Sequence, residues 1–134
     1  MLEPASEPPR ILVVEDEPLV ASYVETLLKD LGYTVVGIVD SGERAVSKTQ
    51  AEQPDLVLMD IRLRGEMDGI QAAEKIHLAL AIPSVYLTAY TDEATLARVK
   101  AGPFPYLVKP IARAELNATL RAVLATHKPP GAIR

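Results

Sequence analysis

Five short apolar runs alternate along this chain with five stretches of helical character. That alternation restricts the fold more than any other feature. The runs are ILVV (11–14), TVVGIVD (34–40), DLVLMD (55–60), SVYLTA (84–89) and PYLVK (105–109). They are continuous rather than alternating in polarity, so both faces of each strand must be covered. A parallel sheet with helices on either side satisfies that demand. Between the first two runs, Val20, Tyr23, Val24, Leu27, Leu28 and Leu31 return at helical spacing. Pro18 suits the first turn of that helix and Gly32 its stop. Asp40 and Glu43 predict a capping box for a second helix through Ala45, Val46 and Thr49. A third helix is expected from about Ile70 to Leu80. A fourth is capped by Thr91 or Asp92 and ends near Gly102, and the last runs from Ala112 to Thr126.

Right-handed crossovers turn this pattern into a doubly wound α/β fold. At this size the five-stranded order 2-1-3-4-5, flavodoxin-like, is the natural candidate. The 134 residues, 49% hydrophobic and 24% charged, suit one domain with a sizeable core. We expect residues 1–9, rich in proline, to be a disordered lead. The domain then covers 10–126, and 127–134 form a tail. No apolar run is long enough to span a bilayer and no secretory leader is apparent, so a cytoplasmic location is expected. The chain has no cysteine, which excludes disulfides and thiolate metal sites. A net charge of -4 without a basic block argues against nucleic acid as a partner.

Chemistry collects where the strands end. In a parallel sheet the carboxyl ends share one edge, and ligands bind there. Strand one ends in Glu15 and Asp16, strand three in Asp60, strand four in Thr88, and strand five in Lys109 followed by Pro110. A buried, unpaired carboxylate is strongly disfavoured, so Asp60 either reaches solvent or is bound by something nearby. Three neighbouring carboxylates repel unless a cation joins them. An all-oxygen site with few protein ligands and room for water suits Mg2+. The formal charges of Glu15, Asp16 and Asp60 then balance those of the ion and Lys109. Such a site admits an anionic phosphoryl group, and a carboxylate is a competent nucleophile toward phosphorus. Lys109 would hold Asp60 and then a phosphoryl oxygen, while Thr88 would donate to another.

Taken together, ILVVEDEP, LVLMDIRL, YLTAY and YLVKP resemble the receiver domain of two-component response regulators, over about Arg10 to Thr126. The resemblance implies that Asp60 is the phosphoacceptor. The phosphoryl donor would be a sensor histidine kinase or a phosphotransfer histidine. It implies that Glu15 and Asp16 hold magnesium, Asp16 most directly, with Asp60 and the backbone carbonyl of Arg62 as further ligands. Thr88 and Tyr106 become the switch pair and Lys109 the conserved-role lysine, joined to Pro110 by a cis bond. Phosphorylation would draw Thr88 inward and Tyr106 after it, reshaping a surface for a downstream protein partner. A homodimer through the last two helices is compatible with this picture. Arg62 and Tyr90 would flank the entrance and tune the phosphoryl lifetime. Such a domain is a regulatory phosphoacceptor, not an enzyme.

Several features call for plainer readings or depart from the common pattern. Glu17 reads as a solvated residue at a helix entrance, and His77 and His127 as structural or exposed. The plainer reading of Tyr106 is strand packing. Pro103 and Pro105 flank Phe104 where a flexible loop is more usual, and Ile111 stands where an aromatic often follows Lys-Pro. Only HKPPGAIR follows the last helix, so the expectation is a receiver acting by protein contact or a piece of something longer. RLRGEMDGIQAAEKI resembles receivers that work with sensor kinases. A haloacid-dehalogenase-type phosphatase would need an acid at Arg62. An FMN carrier would need a Ser/Thr/Gly-rich loop at EDEP. The alternative within the family is a degenerate receiver, a binding scaffold independent of phosphorylation.

Overall fold

The computed structural model describes residues 7–89 and 92–126. Strands and helices alternate throughout: β1 (Arg10–Val14), α1 (Pro18–Asp30), β2 (Thr34–Val39), α2 (Gly42–Glu52), β3 (Leu56–Asp60), α3 (Gly69–Leu80), β4 (Ser84–Thr88), α4 (Glu93–Ala101), β5 (Tyr106–Val108) and α5 (Arg113–Thr126). All strand pairings are parallel, in the order β2-β1-β3-β4-β5. Each connection therefore needs a crossover, and each crossover is one of the helices.

Two apolar layers explain why the strand runs are continuous. Ile11, Val13, Leu58, Val85 and Leu87 face one side, against Val24 and Leu28 of α1 and Leu116 and Leu120 of α5. Leu12, Val14, Val57, Met59 and Tyr86 face the other, against Ala45, Ile70, Ala73, Ile76 and Val99. Successive side chains of a strand point to opposite faces, so odd and even positions both need to be apolar. The edge strands are less covered: Ile38 on β2 and Val108 on β5 are partly exposed. The β1–β2 register slips between Ile11 and Leu12, opposite Val35 and Gly37. A side chain at Gly37 would displace the end of the Lys48 side chain, which lies over this glycine.

The helix ends follow local chemistry. Pro18 opens α1, and Gly32 just past it takes φ +94, a conformation that favours glycine. At α2 the expected capping box from Asp40 and Glu43 does not form. Ser41 is the cap, its Oγ accepting from Arg44 N at 3.1 Å. Asp40 instead lies 3.6 Å from the Arg44 guanidinium. A capping box does form at α3, where Asp68 and Gln71 bond reciprocally to each other's backbone N–H. Asp92 caps α4. The expectations for residues 1–6, Tyr90, Thr91, His127 and the tail lie outside the described residues. No helix among the described residues is long and apolar enough to cross a membrane.

Candidate functional site

The sheet order places the ends of β1 and β3 side by side, with β4 and β5 beyond them. Glu15 follows β1 directly and is held by its backbone N–H, which donates to Val39 O at 2.9 Å. Asp60 closes β3. Lys109 follows β5, and its N–H donates to the Thr88 carbonyl at 2.7 Å, joining the ends of β4 and β5. The Lys109–Pro110 bond is cis, as expected. Four segments distant in sequence thus deliver Glu15, Asp16, Asp60, Thr88 and Lys109 to one edge.

Glu15, Asp16 and Asp60 each present a carboxylate oxygen, and these oxygens lie within 4.8 Å of one another. Lys109 Nζ lies 2.5 Å from Glu15 Oε1 and 3.5 Å from Asp60 Oδ2. The lysine is therefore held first by Glu15 rather than by Asp60. The other Glu15 oxygen accepts from Glu17 N at 3.1 Å. Both Glu15 oxygens are engaged, which leaves Asp16 and Asp60 as the more available ligands for an ion. Asp16 is partly open to solvent and lies 3.8 Å from the Arg64 guanidinium. Asp60 Oδ1 accepts from Arg62 N at 3.4 Å.

Asp60 is buried, at 5% exposure, but not unpartnered. Burial pushes its pKa up to about 7, helped by the neighbouring Glu15, while Lys109 pulls the other way. For Lys109, burial favours the neutral form, but the hydrogen bond to Glu15 and the charges of Asp60 and Glu15 outweigh it and raise its pKa. The lysine is accordingly a permanent cation at neutral pH. The cluster carries more carboxylate than one ammonium can balance. A donor set made only of oxygens, with a partly open side at Asp16, fits a hard divalent cation such as magnesium.

Thr88 is buried at the end of β4. Tyr106 is half-buried and packs against the core layer that contains Tyr86 and Phe104. Pro103 and Pro105 flank a Phe104 that is itself buried. Its ring meets His77 edge-on at 5.0 Å and Tyr86 at 6.4 Å, so His77 has the structural place expected of it.

Several contacts that shape the site were not foreseen from sequence. Gly69 starts α3 against the end of β3, and any Cβ there would overlap the Asp60 carbonyl. Asp68 accepts from Arg98 of α4 as well as from Gln71. Although partial burial opposes it, those donors hold the Asp68 carboxyl below its usual range. Arg62 reaches Asp92 at 3.0 Å. Beside Lys109, a largely apolar groove of about 410 Å3 is lined by Leu19, Val20, Tyr23, Pro110 and Ile111, among others. Tyr23 Oη donates to the Ile111 carbonyl at 3.0 Å, tying α1 to the chain after β5.

Comparison with known proteins agrees with this geometry. The family model for the response regulator receiver domain matches residues 11–121. The transcriptional regulatory protein PdtaR of Mycobacterium tuberculosis is 37% identical over 125 residues, covering 92% of this chain and 60% of PdtaR. ZraR of Escherichia coli is 39% identical over 120 residues, covering 87% of this chain and 27% of ZraR. The chain thus spans less than two thirds of either relative. Among solved structures, the receiver domain of the sensor histidine kinase PA1611 from Pseudomonas aeruginosa has a magnesium ion coordinated in its active site cleft. It matches with a TM-score of 0.78 and 33% identity, over 89% of this chain and 99% of that one.

Proposed function

Given that this chain belongs to the response regulator receiver family, we propose that it accepts a phosphoryl group on Asp60 in two-component signalling. The donor is a histidine kinase or a phosphotransfer histidine. The observation that carries this reading is the meeting of Glu15, Asp16 and Asp60 within 4.8 Å, beside Lys109. An Asp60 oxygen attacks phosphorus, forming the new O–P bond as the N–P bond to the donor histidine breaks. Attack requires Asp60 as carboxylate, and its raised pKa means that added positive charge favours the reactive form. Asp16, Asp60 and the Arg62 carbonyl would hold Mg2+, with Glu15 contributing chiefly through Lys109. When bound, the ion supplies the positive charge that offsets the carboxylates and the incoming phosphoryl oxygens.

Lys109 sits beside Asp60 to bind a phosphoryl oxygen, and the Thr88 hydroxyl donates to another. Movement of Thr88 toward the new group lets Tyr106 turn into the space vacated. The surface of α4, β5 and α5 changes with it and is read by a downstream protein. The groove between α1 and Pro110–Ile111 adjoins Lys109, where a phosphodonor protein must approach to present its histidine. This activity is regulatory, acting on the chain's own phosphorylation, and belongs to a cytoplasmic setting.

Intact mass after incubation with acetyl phosphate tests the reading. A phosphoryl adduct is expected with magnesium, absent without it, and absent in Asp60→Asn. An adduct that survives Asp60→Asn places the acceptor elsewhere. No adduct in the parent protein favours a scaffold that works without phosphorylation.

A further inference from the structure

Helix α4 is weakly anchored by apolar contacts. Its nine residues bury one side chain, Val99, whereas α3 buries Gly69, Ile70, Ala72, Ala73 and Ile76. A helix this short does not persist on its own propensity. Charge adds to that hold. Arg62 Nη2 lies 3.0 Å from Asp92 Oδ2. Arg98 Nη1 lies 2.9 Å from Asp68 Oδ2, and its Nη2 lies 3.4 Å from the other oxygen. Each pair joins residues 30 positions apart. The sense is reversed between them: the loop after β3 offers a cation at 62 and an anion at 68, and α4 offers an anion at 92 and a cation at 98. Pairing the other way round would set Arg62 against Arg98 and Asp68 against Asp92. The pattern therefore selects one register and one direction for α4 against the loop.

That loop begins at the proposed acceptor. Arg62 N–H donates to Asp60 Oδ1, and at the far end Gly69 N–H donates to Ile61 O at 2.8 Å. The root of the Arg62 side chain therefore lies beside the Asp60 carboxyl, while its guanidinium rests on Asp92.

We propose that the Arg62–Asp92 and Arg98–Asp68 pairs are a two-point clamp holding α4 in its resting position, and that a phosphoryl group on Asp60 opens the first point by drawing Arg62 away from Asp92. The opening step rests on the phosphoacceptor reading above. An aspartyl phosphate carries about -1.5 to -2 of charge where the carboxylate carried -1, against the single charge of Asp92, and its oxygens suit the guanidinium fork. Asp92 keeps its hold on the helix start, since it also accepts from Thr95 N at 2.8 Å and Thr95 Oγ1 at 3.1 Å. The helix thus stays formed while its tie to the loop is lost. Arg98–Asp68 remains closed, so α4 pivots on its second half. This route from Asp60 to α4 runs outside Thr88 and Tyr106.

Amide hydrogen exchange across Glu93–Ala101 of the full chain tests both halves. Asp92→Asn keeps an oxygen for Thr95 N but removes the charge opposite Arg62. In unphosphorylated protein, Asp92→Asn, Arg62→Gln and Arg98→Gln should each speed α4 exchange about threefold, the scale of an exposed ion pair, and leave the buried turns of α3 unchanged. Unchanged α4 exchange in all three variants overturns the clamp. After treatment with acetyl phosphate and magnesium, parent α4 should rise to the Asp92→Asn level, including in a Thr88→Ala background. Asp92→Asn itself should rise by less than the parent. Intact mass is read on the same samples. Adduct with unaltered α4 exchange overturns the opening step. Absence of adduct overturns the phosphoacceptor reading and the opening with it, while the unphosphorylated variants still judge the clamp.

Discussion

Helices α3 and α4 follow the two strands that end in Asp60 and Thr88, and they are secured in opposite ways. Shape holds α3: five buried residues, a reciprocal capping box, and a glycine that lets its first turn touch the end of β3. Charge holds α4: one buried valine and two ion pairs to the loop ahead of α3. Apolar packing is nearly indifferent to a new charge at Asp60, whereas an ion pair two residues away is not. On the reading proposed above, α3 belongs to the frame of the site and α4 to its response.

Truncation should expose that contrast most strongly. Ile76→Ala in α3 should cost about 4 kcal/mol in urea unfolding, near the upper part of the range for buried aliphatics. Its α4 counterpart, Val99→Ala, should cost only about 2 kcal/mol. Equal losses would mean that the two helices share one kind of anchoring. Gly69→Ala should fall between them, at about 3 kcal/mol, because the added methyl forces α3 away from the Asp60 carbonyl. Its magnesium affinity should drop as well, since the same carbonyl belongs to the site strand.

The acid cluster predicts a pH dependence with a definite sign. The folded-state pKa of Asp60 is raised from 3.8 to about 7, chiefly by burial. The folded protein therefore binds this proton more tightly than the unfolded chain does. The associated stability is complete below about pH 4 and is lost as pH rises through about 7. Without divalent ions, Asp60→Asn should gain on the parent by about 1–2 kcal/mol between pH 5 and pH 8, a discounted figure for a lysine-paired group. Magnesium should erase that gain. A constant difference across this range would mean that Asp60 titrates as an ordinary surface acid. The smallest expected effect is that of salt. Raising NaCl from 0.1 to 1 M shortens the screening length from about 10 to about 3 Å, which should quicken amide exchange in α4 and spare the core of α3.

Much of this was legible in the sequence, and the limits have physical causes. Strand positions could be read because fully covered strands must be apolar at every residue, as Leu56 to Met59 are. The site could be read because parallel topology sends every strand end to one edge, whatever the loops do. Capping was less legible. Asp40 and Glu43 have the right spacing, yet the chain enters α2 one residue later and Ser41 takes the bond. Asp68 and Gln71 have the same spacing and do form the box, but they sit at the end of a polar loop that hides the helix start. The ion pairs between 62 and 92 and between 68 and 98 leave no periodic trace, because contact across a fold does not impose a repeat on the chain. The first partner of Lys109 also needed coordinates, since Glu15 and Asp60 are alike in charge and differ only in reach.

The claim on which the rest depends is that the buried acid at the tip of β3 is the residue that takes the phosphoryl group. Borohydride reduces an aspartyl phosphate to homoserine while leaving free carboxylates alone. Protein treated with acetyl phosphate and magnesium, then reduced and sequenced by peptide mass spectrometry, should carry homoserine at position 60 and not at Asp16, with the Glu15 side chain left unreduced. Homoserine at another aspartate, with position 60 intact, would contradict the account.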